Sequence, residues 1–124
     1  MRVPFKQVDV FTRVPFKGNP VAVVLKADGL TSGQMQQIAN WTNLSETTFV
    51  LPASDPRADY HVRIFCPSEE LAFAGHPTVG TAHALLEAGL IRPRDGALLQ
   101  QCGAGLVSLQ VAHGTDGARW ISFD

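Results

Sequence analysis

Charged residues are scarce in this sequence: aspartate, glutamate, lysine and arginine make up 17% of its 124 residues, against about 25% in an average soluble domain. The ten basic and eleven acidic side chains nearly cancel, so the chain has neither the basic surface that nucleic acid requires nor an acidic tail. We therefore expect no nucleic-acid partner. A small core explains part of this low charge, and a domain that carries an interface with a missing partner would look the same.

Long apolar runs are missing as well. No segment approaches the roughly 18 consecutive apolar residues of a membrane span, and no basic leader precedes a shorter apolar run. We expect a cytoplasmic protein with no membrane partner. Only two cysteines occur, Cys66 and Cys102, and their separation fits neither a disulfide framework nor a metal-type spacing. We interpret them as packed free thiols, and because zinc motifs are also absent we expect no metal.

Residues 73–89, FAGHPTVGTAHALLEAG, predict a turn followed by a buried helix. Pro77 suits the first helical position, and Gly89 suits the left-handed residue that follows a helix. Between Thr78 and Ala88 so few polar residues occur that no broad face is left for water. A helix of this kind must be buried, so we expect it to be central, with strands around it.

The beginning of this helix is its chemically interesting end. Gly75 allows a sharp turn or a close approach to a ligand, and the N–H groups of the first turn attract an anion such as a carboxylate. The alternative is a plain strand-to-helix turn at residues 74–77, with His76 as its cap. His83 falls near the same helical face, and we interpret it as a core histidine because it is too far from His76 to share one metal ion.

Segments rich in β-branched and aromatic residues predict about seven strands. These segments are residues 3–11, 21–25, 47–51, 60–66, 98–102, 106–112 and 119–123. Turn-rich connections are predicted at residues 14–20, 54–59 and 114–117. A shorter helix should begin after Thr31, which forms a capping box with Gln34, and end near Asn43. The sum is an α+β domain with a curled, mostly antiparallel, barrel-like sheet around the central helix.

Glu46 is the strongest candidate for catalysis. It lies between a serine and two threonines at the start of a predicted strand. A carboxylate in this position can project into a cleft while the small hydroxyls orient it, which suits general acid–base chemistry. The alternative is an ordinary surface glutamate, since lone carboxylates are common.

Three segments occur in one order along the chain: VDVFTRVPFKGNPVAVVL at residues 8–25, MQQIANWTNLSETTFVLP at 35–52, and YHVRIFCPSEELAFAGHPTVGTAHALL at 60–86. Together they resemble the phenazine-biosynthesis PhzF-like family, which is related to diaminopimelate epimerase. The resemblance implies a fold of two similar domains with the active site in the cleft between them. The sequence is then expected to be one N-terminal domain, residues 1–124, without the second domain.

The resemblance also implies site residues and a reaction. Glu46 would be the catalytic acid–base of a cofactor-independent isomerase that shifts a proton on a small carboxylate substrate in a biosynthetic process. Substrate-binding positions of the family match Asn19, Ser45, Gly75 and His76. Related epimerases and proline racemases use paired thiols, one of them just before the turn glycine. Ala74 holds that place here, so the resemblance disfavours a two-thiol racemase.

In such a family the second domain supplies the other wall of the cleft, so this sequence is expected to carry half an active site. A homodimer or a complementing second domain would complete it. Two alternatives stay open at this point: a non-catalytic domain that self-associates and binds small carboxylates, and an inactive truncation.

Overall fold

The structure is a computed structural model that describes residues 3–10, 18–114 and 119–123, and these ranges contain eight strands and two helices. In chain order they are β1 (Phe5–Val10), β2 (Asn19–Val24), α1 (Ser32–Thr42), β3 (Thr47–Leu51), β4 (Tyr60–Phe65), β5 (Glu70–Leu71), α2 (Gly75–Glu87), β6 (Ala97–Cys102), β7 (Gly105–His113) and β8 (Arg119–Phe123).

All eight of these strands belong to one sheet, in the order β1, β2, β3, β4, β6, β7, β8, with the short β5 paired to β4. The β2–β3 and β4–β6 pairs are parallel, and the other pairs are antiparallel. Each parallel pair is joined through a helix, as parallel strands require a crossover connection. The sheet curls so far that α2 contacts both β1 and β8, at opposite ends of this order. The predicted α+β fold, a curled and mostly antiparallel sheet around a central helix, is confirmed.

The two helices cover opposite faces of the sheet. On the inner face, Val10 and Val21 belong to the core cluster that packs against α2. The helix comes close to them because Gly80 has no side chain, and a Cβ atom at this position would collide with Val21. On the outer face, Phe49 of β3 and Phe65 of β4 meet edge to face, with ring centroids 5.4 Å apart, beneath Met35 of α1. The sheet is therefore buried on both faces where β3 and β4 run.

The predicted start and end of α1 are confirmed. Thr31 Oγ1 accepts a hydrogen bond from the Gln34 N–H at 3.1 Å, and the Thr31 N–H donates to Gln34 Oε1 at 2.9 Å. This capping box satisfies N–H groups that have no partner inside the helix. The helix ends at Asn43, whose φ of 57° lies in the left-handed region.

The bounds of α2 are confirmed at its end and corrected at its beginning. Gly89 has a φ of 73°, and its N–H donates to the Leu86 carbonyl at 3.1 Å while the Leu90 N–H donates to the Leu85 carbonyl at 3.0 Å. These two bonds form the expected glycine-ended cap. The prediction that Pro77 occupies the first helical position is wrong, because Gly75 and His76 are already helical. Proline fits the third position too, since N–H groups of the first turn have no acceptor inside the helix.

Other expectations need smaller corrections. β2 begins at Asn19, within the predicted turn, while residues 14–17 and 115–117 of the predicted turns and Phe11 of the first predicted strand lie outside the described residues. The two-residue strand β5 was not predicted. The interpretation of His83 as a core histidine is wrong: its side chain is 42% exposed, and Nε2 lies 3.3 Å from Glu87 Oε2.

Candidate active site at the start of the central helix

The strand directions bring several element ends together around the start of α2. The starts of β2 and β3 lie at the same end of the sheet because these strands run parallel, and the end of β4 joins them because it runs antiparallel to β3. β6 runs parallel to β4, and β7 and β8 each run antiparallel to the strand before them. The end of β8, with Phe123, therefore lies at this end of the sheet as well. Residues that are far apart in the sequence can therefore meet where α2 begins.

Glu46 and His76 are brought into contact at this place. Glu46 directly precedes β3, and its backbone carbonyl accepts a hydrogen bond from the Ala22 N–H of β2 at 3.4 Å. Its side-chain Oε2 lies 3.0 Å from Nδ1 of His76, and the two side chains are only 18% and 9% exposed, respectively. The pair is therefore largely shielded from water, which strengthens any interaction between its charges.

The second ring nitrogen of His76 restricts how this pair can carry a proton. His76 Nε2 lies 3.2 Å from the Pro20 carbonyl oxygen, and because a carbonyl only accepts, Nε2 must carry the hydrogen. In the neutral ring Nδ1 then has only a lone pair, and it faces the carboxylate of Glu46. Glu46 Oε2 has no hydrogen bond of regular geometry within the described structure, in spite of the short distance. A proton held by this pair therefore has only Nδ1 of His76 and the Glu46 carboxylate as places to bind.

The capping residue of α2 provides no side-chain hydrogen bond to the start of the helix. The capping position is occupied by Ala74, which makes no side-chain hydrogen bond, so the alternative interpretation of His76 as the cap is wrong. A helix start without a side-chain acceptor can place its N–H groups and the positive end of the helix dipole on an anion. The Glu46–His76 pair therefore adjoins a position that suits a carboxylate.

Gly75 also has a packing role that was not predicted from the sequence. A Cβ atom at this position would lie 2.7 Å from Cζ of Phe123, the last described residue of β8. Phe123 also meets Phe73 edge to face, with ring centroids 5.5 Å apart. The missing side chain of Gly75 thus lets β8 close onto the start of α2. A sign of this in the sequence is the aromatic residue near the end of the last predicted strand.

Asn19 and Ser45 lie at the rim of this region. Asn19 is the first residue of β2 and Ser45 immediately precedes Glu46, and both are exposed. The expectation that neighbouring hydroxyls orient Glu46 is wrong for both threonines. Their oxygens bond elsewhere, Thr47 Oγ1 to Thr42 Oγ1 at 2.8 Å and Thr48 Oγ1 to Thr81 Oγ1 at 2.7 Å.

The possible metal ligands, the cysteines and the helices add no further candidate site among the described residues. Within the described residues no cluster of three or more histidine, cysteine, aspartate or glutamate side chains could hold a metal ion. Cys102 is buried and Cys66 partly buried, and both are free thiols. Neither described helix has the length and apolar character needed to cross a membrane.

The class of protein follows from comparing this fold with solved structures. A phenazine biosynthesis protein of the PhzF family from Bacillus anthracis superposes with a TM-score of 0.89 and 39% sequence identity, over 99% of this chain and 40% of that chain. The curled sheet around a helix is thus half of a diaminopimelate epimerase-like fold. The chain itself belongs to the phenazine biosynthesis-like protein family, whose model matches residues 8–123.

Two curated relatives extend this comparison. "Antisense-enhancing sequence 1" of Schizosaccharomyces pombe is 53% identical over 119 residues, which cover 96% of this chain and 40% of that protein. A trans-2,3-dihydro-3-hydroxyanthranilate isomerase from Pseudomonas fluorescens is 55% identical over 78 residues, covering 63% of this chain and 28% of the enzyme. The chain therefore spans well under half the length of these relatives.

Proposed function

We propose that this chain forms the acid–base half of a cofactor-independent isomerase acting on a small carboxylate. The observation that carries the proposal is the shielded contact of 3.0 Å between Glu46 Oε2 and His76 Nδ1, directly at the start of α2. The isomerases among the relatives of the chain support the reaction class.

In the proposed reaction the start of α2 binds the substrate carboxylate, with Asn19 and Ser45 at the rim of the same site. The Glu46 carboxylate removes a proton from one carbon, and the electron pair of the broken C–H bond stays in the substrate. Glu46 then delivers a proton, either the one it took or one exchanged with solvent, to a different carbon, so atoms and electrons balance without a cofactor. The Pro20 carbonyl keeps hydrogen on Nε2 of His76, which leaves Nδ1 to hold the proton together with Glu46.

We further propose that a second copy of the chain, or a complementing second domain, forms the opposite wall of the site in the cytoplasm. The share of about 40% that the chain covers in the Schizosaccharomyces pombe relative supports this arrangement. Glu46 and His76 come from one side of the substrate, whereas a proton shift between two carbons also needs the substrate held and water excluded on the other side.

Isomerisation of trans-2,3-dihydro-3-hydroxyanthranilate tests the proposal. The purified chain, alone and mixed with the separately expressed remainder of a full-length relative, is incubated with this compound in D2O while NMR follows isomerisation and deuterium uptake. We expect Glu46→Gln to reduce the rate about 10²–10⁴-fold, the usual contribution of a general acid–base. Glu69→Gln, at an exposed glutamate, is the control and should leave the rate unchanged. Undiminished turnover by Glu46→Gln would remove Glu46 from the mechanism.

A binding function without turnover is the second candidate, and the uncapped start of α2 favours it because that position suits an anion whether or not chemistry follows. Calorimetry with anthranilate and with proline separates the two candidates. Heat of binding, together with no isomerisation of trans-2,3-dihydro-3-hydroxyanthranilate by the assembled protein, would support the binding function. An absence of heat with both compounds would count against it.

A further inference from the structure

The interior of the sheet holds polar side chains that the proposed chemistry does not use. Gln100 of β6 and Thr78 of α2 are completely buried, and Tyr60 of β4 is 3% exposed. The neighbouring inward-facing residues of β6 are the apolar Leu98 and Cys102. A buried amide or hydroxyl costs free energy unless it is hydrogen-bonded, so an apolar residue would serve stability at least as well at these positions.

The three side chains form a directed series of hydrogen bonds. Tyr60 Oη donates to Gln100 Oε1 at 3.1 Å, and Gln100 Nε2 donates to Thr78 Oγ1 at 3.3 Å. The Thr78 hydroxyl in turn donates to the carbonyl oxygen of Ala74 at 2.8 Å. Burial raises the pKa of Tyr60 well above its usual value, so the first group of the series keeps its hydrogen. Each group uses its hydrogen in the same direction, from the sheet towards α2.

The series ends on the residue that fixes the start of the helix. Ala74 occupies the capping position, and its carbonyl also accepts the Thr78 N–H at 3.3 Å. Ala74 packs against the core cluster through its methyl group, and its backbone carbonyl is the group through which this series of hydrogen bonds reaches it. Gly75 and His76 follow directly, so any rotation of the Ala74 peptide moves the imidazole relative to Glu46.

We propose that Thr78 and Gln100 are positioning residues that hold the first turn of α2 so that Nδ1 of His76 stays against Oε2 of Glu46. Neither residue touches the reacting atoms. The importance of this position for catalysis rests on the proposed function, whereas the position itself can be measured without any turnover.

Thr81 provides a matched control for Thr78. It lies three residues further along α2, is equally buried, and shares a hydroxyl contact of 2.7 Å with Thr48, but it is not part of the series that ends on Ala74. Thr78→Val and Thr81→Val each remove one buried hydroxyl and keep the branched shape of the side chain. Both variants should lose thermal stability to a similar extent. A difference between the two variants in the signals of His76 therefore reports on the position of the imidazole and not on stability.

The measurement is the NMR signals of the His76 ring nitrogens in the full chain, assigned by their loss in His76→Gln. We expect Thr78→Val to shift these signals, Thr81→Val to leave them in place, and Thr78→Ser, which keeps the hydroxyl, to restore them. Unshifted signals in Thr78→Val, or equal shifts in both valine variants, would overturn the proposal.

Should Thr78→Val fail to fold, Gln100→Met and Tyr60→Phe take its place. Gln100→Met removes the donor to Thr78 and should shift the His76 signals, while Tyr60→Phe removes only the distant donor and should shift them less. An equal or larger effect of Tyr60→Phe would contradict the proposal. If the signals move as expected but the chain shows no turnover even when it is mixed with a complementing second domain, the positioning role is upheld and the proposed function is not. The two proposals can therefore fail separately.

Discussion

Among single residues of the site, Gly75 allows the most specific prediction. In Gly75→Ala the new methyl group would lie 2.7 Å from Phe123 Cζ, closer than real side chains approach. Because the Phe123 ring, and with it β8 or the start of α2, must then shift, we expect the free energy of unfolding to fall by about 1–3 kcal/mol, the usual cost of overpacking. Urea unfolding of the two proteins measures this difference.

A double-mutant cycle shows whether the Phe123 ring causes this loss. The same Gly75→Ala change is made in a Phe123→Leu background, where the ring atom in question is absent. The cost of the alanine should be smaller there, since residues in contact do not act additively. An equal cost in both backgrounds would mean that the alanine acts through the turn and not through the ring.

Single residues also show how far the sequence could predict the site. Glu46 and His76 were chosen from their place before a strand and at a helix start and from the family resemblance, and the structure brings their side chains to 3.0 Å. Thr78 and Gln100 were missed because nothing near them in the sequence indicates a partner. Gln100 bonds to side chains 22 and 40 residues away, a distance at which periodicity and turn rules carry no information.

At the scale of elements, one ion pair joins β4 to the short strand β5. Arg63 Nη2 lies 2.7 Å from Glu70 Oε1, and Arg63 Nε donates to Glu70 Oε2 at 2.9 Å. The hydrogen bonds from Arg63 lower the pKa of Glu70 below its ordinary value of 4.5. The folded chain thus holds Glu70 ionised where the unfolded chain has begun to protonate it. The stabilisation is complete above pH 4.5 and is lost as pH falls through the lowered pKa of the folded state.

The free energy of unfolding, measured between pH 7 and pH 3, tests this ion pair between β4 and β5. We expect wild type to lose more stability over this range than Glu70→Gln, by a small margin because the pair is partly exposed and screened. Glu69→Gln, at the adjacent exposed glutamate, should retain the wild-type slope. Identical slopes for wild type and Glu70→Gln would show that the contact between β4 and β5 does not depend on this charge.

The sequence predicted the individual strands and helices better than it predicted how the strands pair. The bounds of β3 and β8 are those expected, and both helices were found, because β-branched runs and capping residues act locally. The two parallel strand pairs and the two-residue β5 depend on contacts between distant segments. His83 shows the same limit: its helical face was predicted as buried, but it lines an open groove of about 410 Å³ with Lys6 and Asp9 of β1.

At the scale of the whole molecule, the proposed second wall predicts self-association. The chain has few charges, and Trp41 is 84% exposed near the end of α1, where the chain turns back into Ser45 and Glu46. An exposed tryptophan at the end of the helix that leads into Glu46 is a suitable anchor for a partner, since tryptophan is enriched among residues that dominate interfaces. We expect light scattering across a concentration series to show a dimer.

Two substitutions locate the contact in such a dimer. Trp41→Ser should weaken it, while Leu90→Ser, at a residue 58% exposed beyond the opposite end of α2, should not. If both substitutions weaken the dimer equally, the contact does not lie specifically at the site end of the sheet. If the chain is a monomer at all concentrations, only a complementing second domain can close the site. If Trp41→Ser also reduces turnover of the assembled protein in proportion to the loss of dimer, the second copy supplies the missing wall. Full turnover by the monomeric variant would contradict that role.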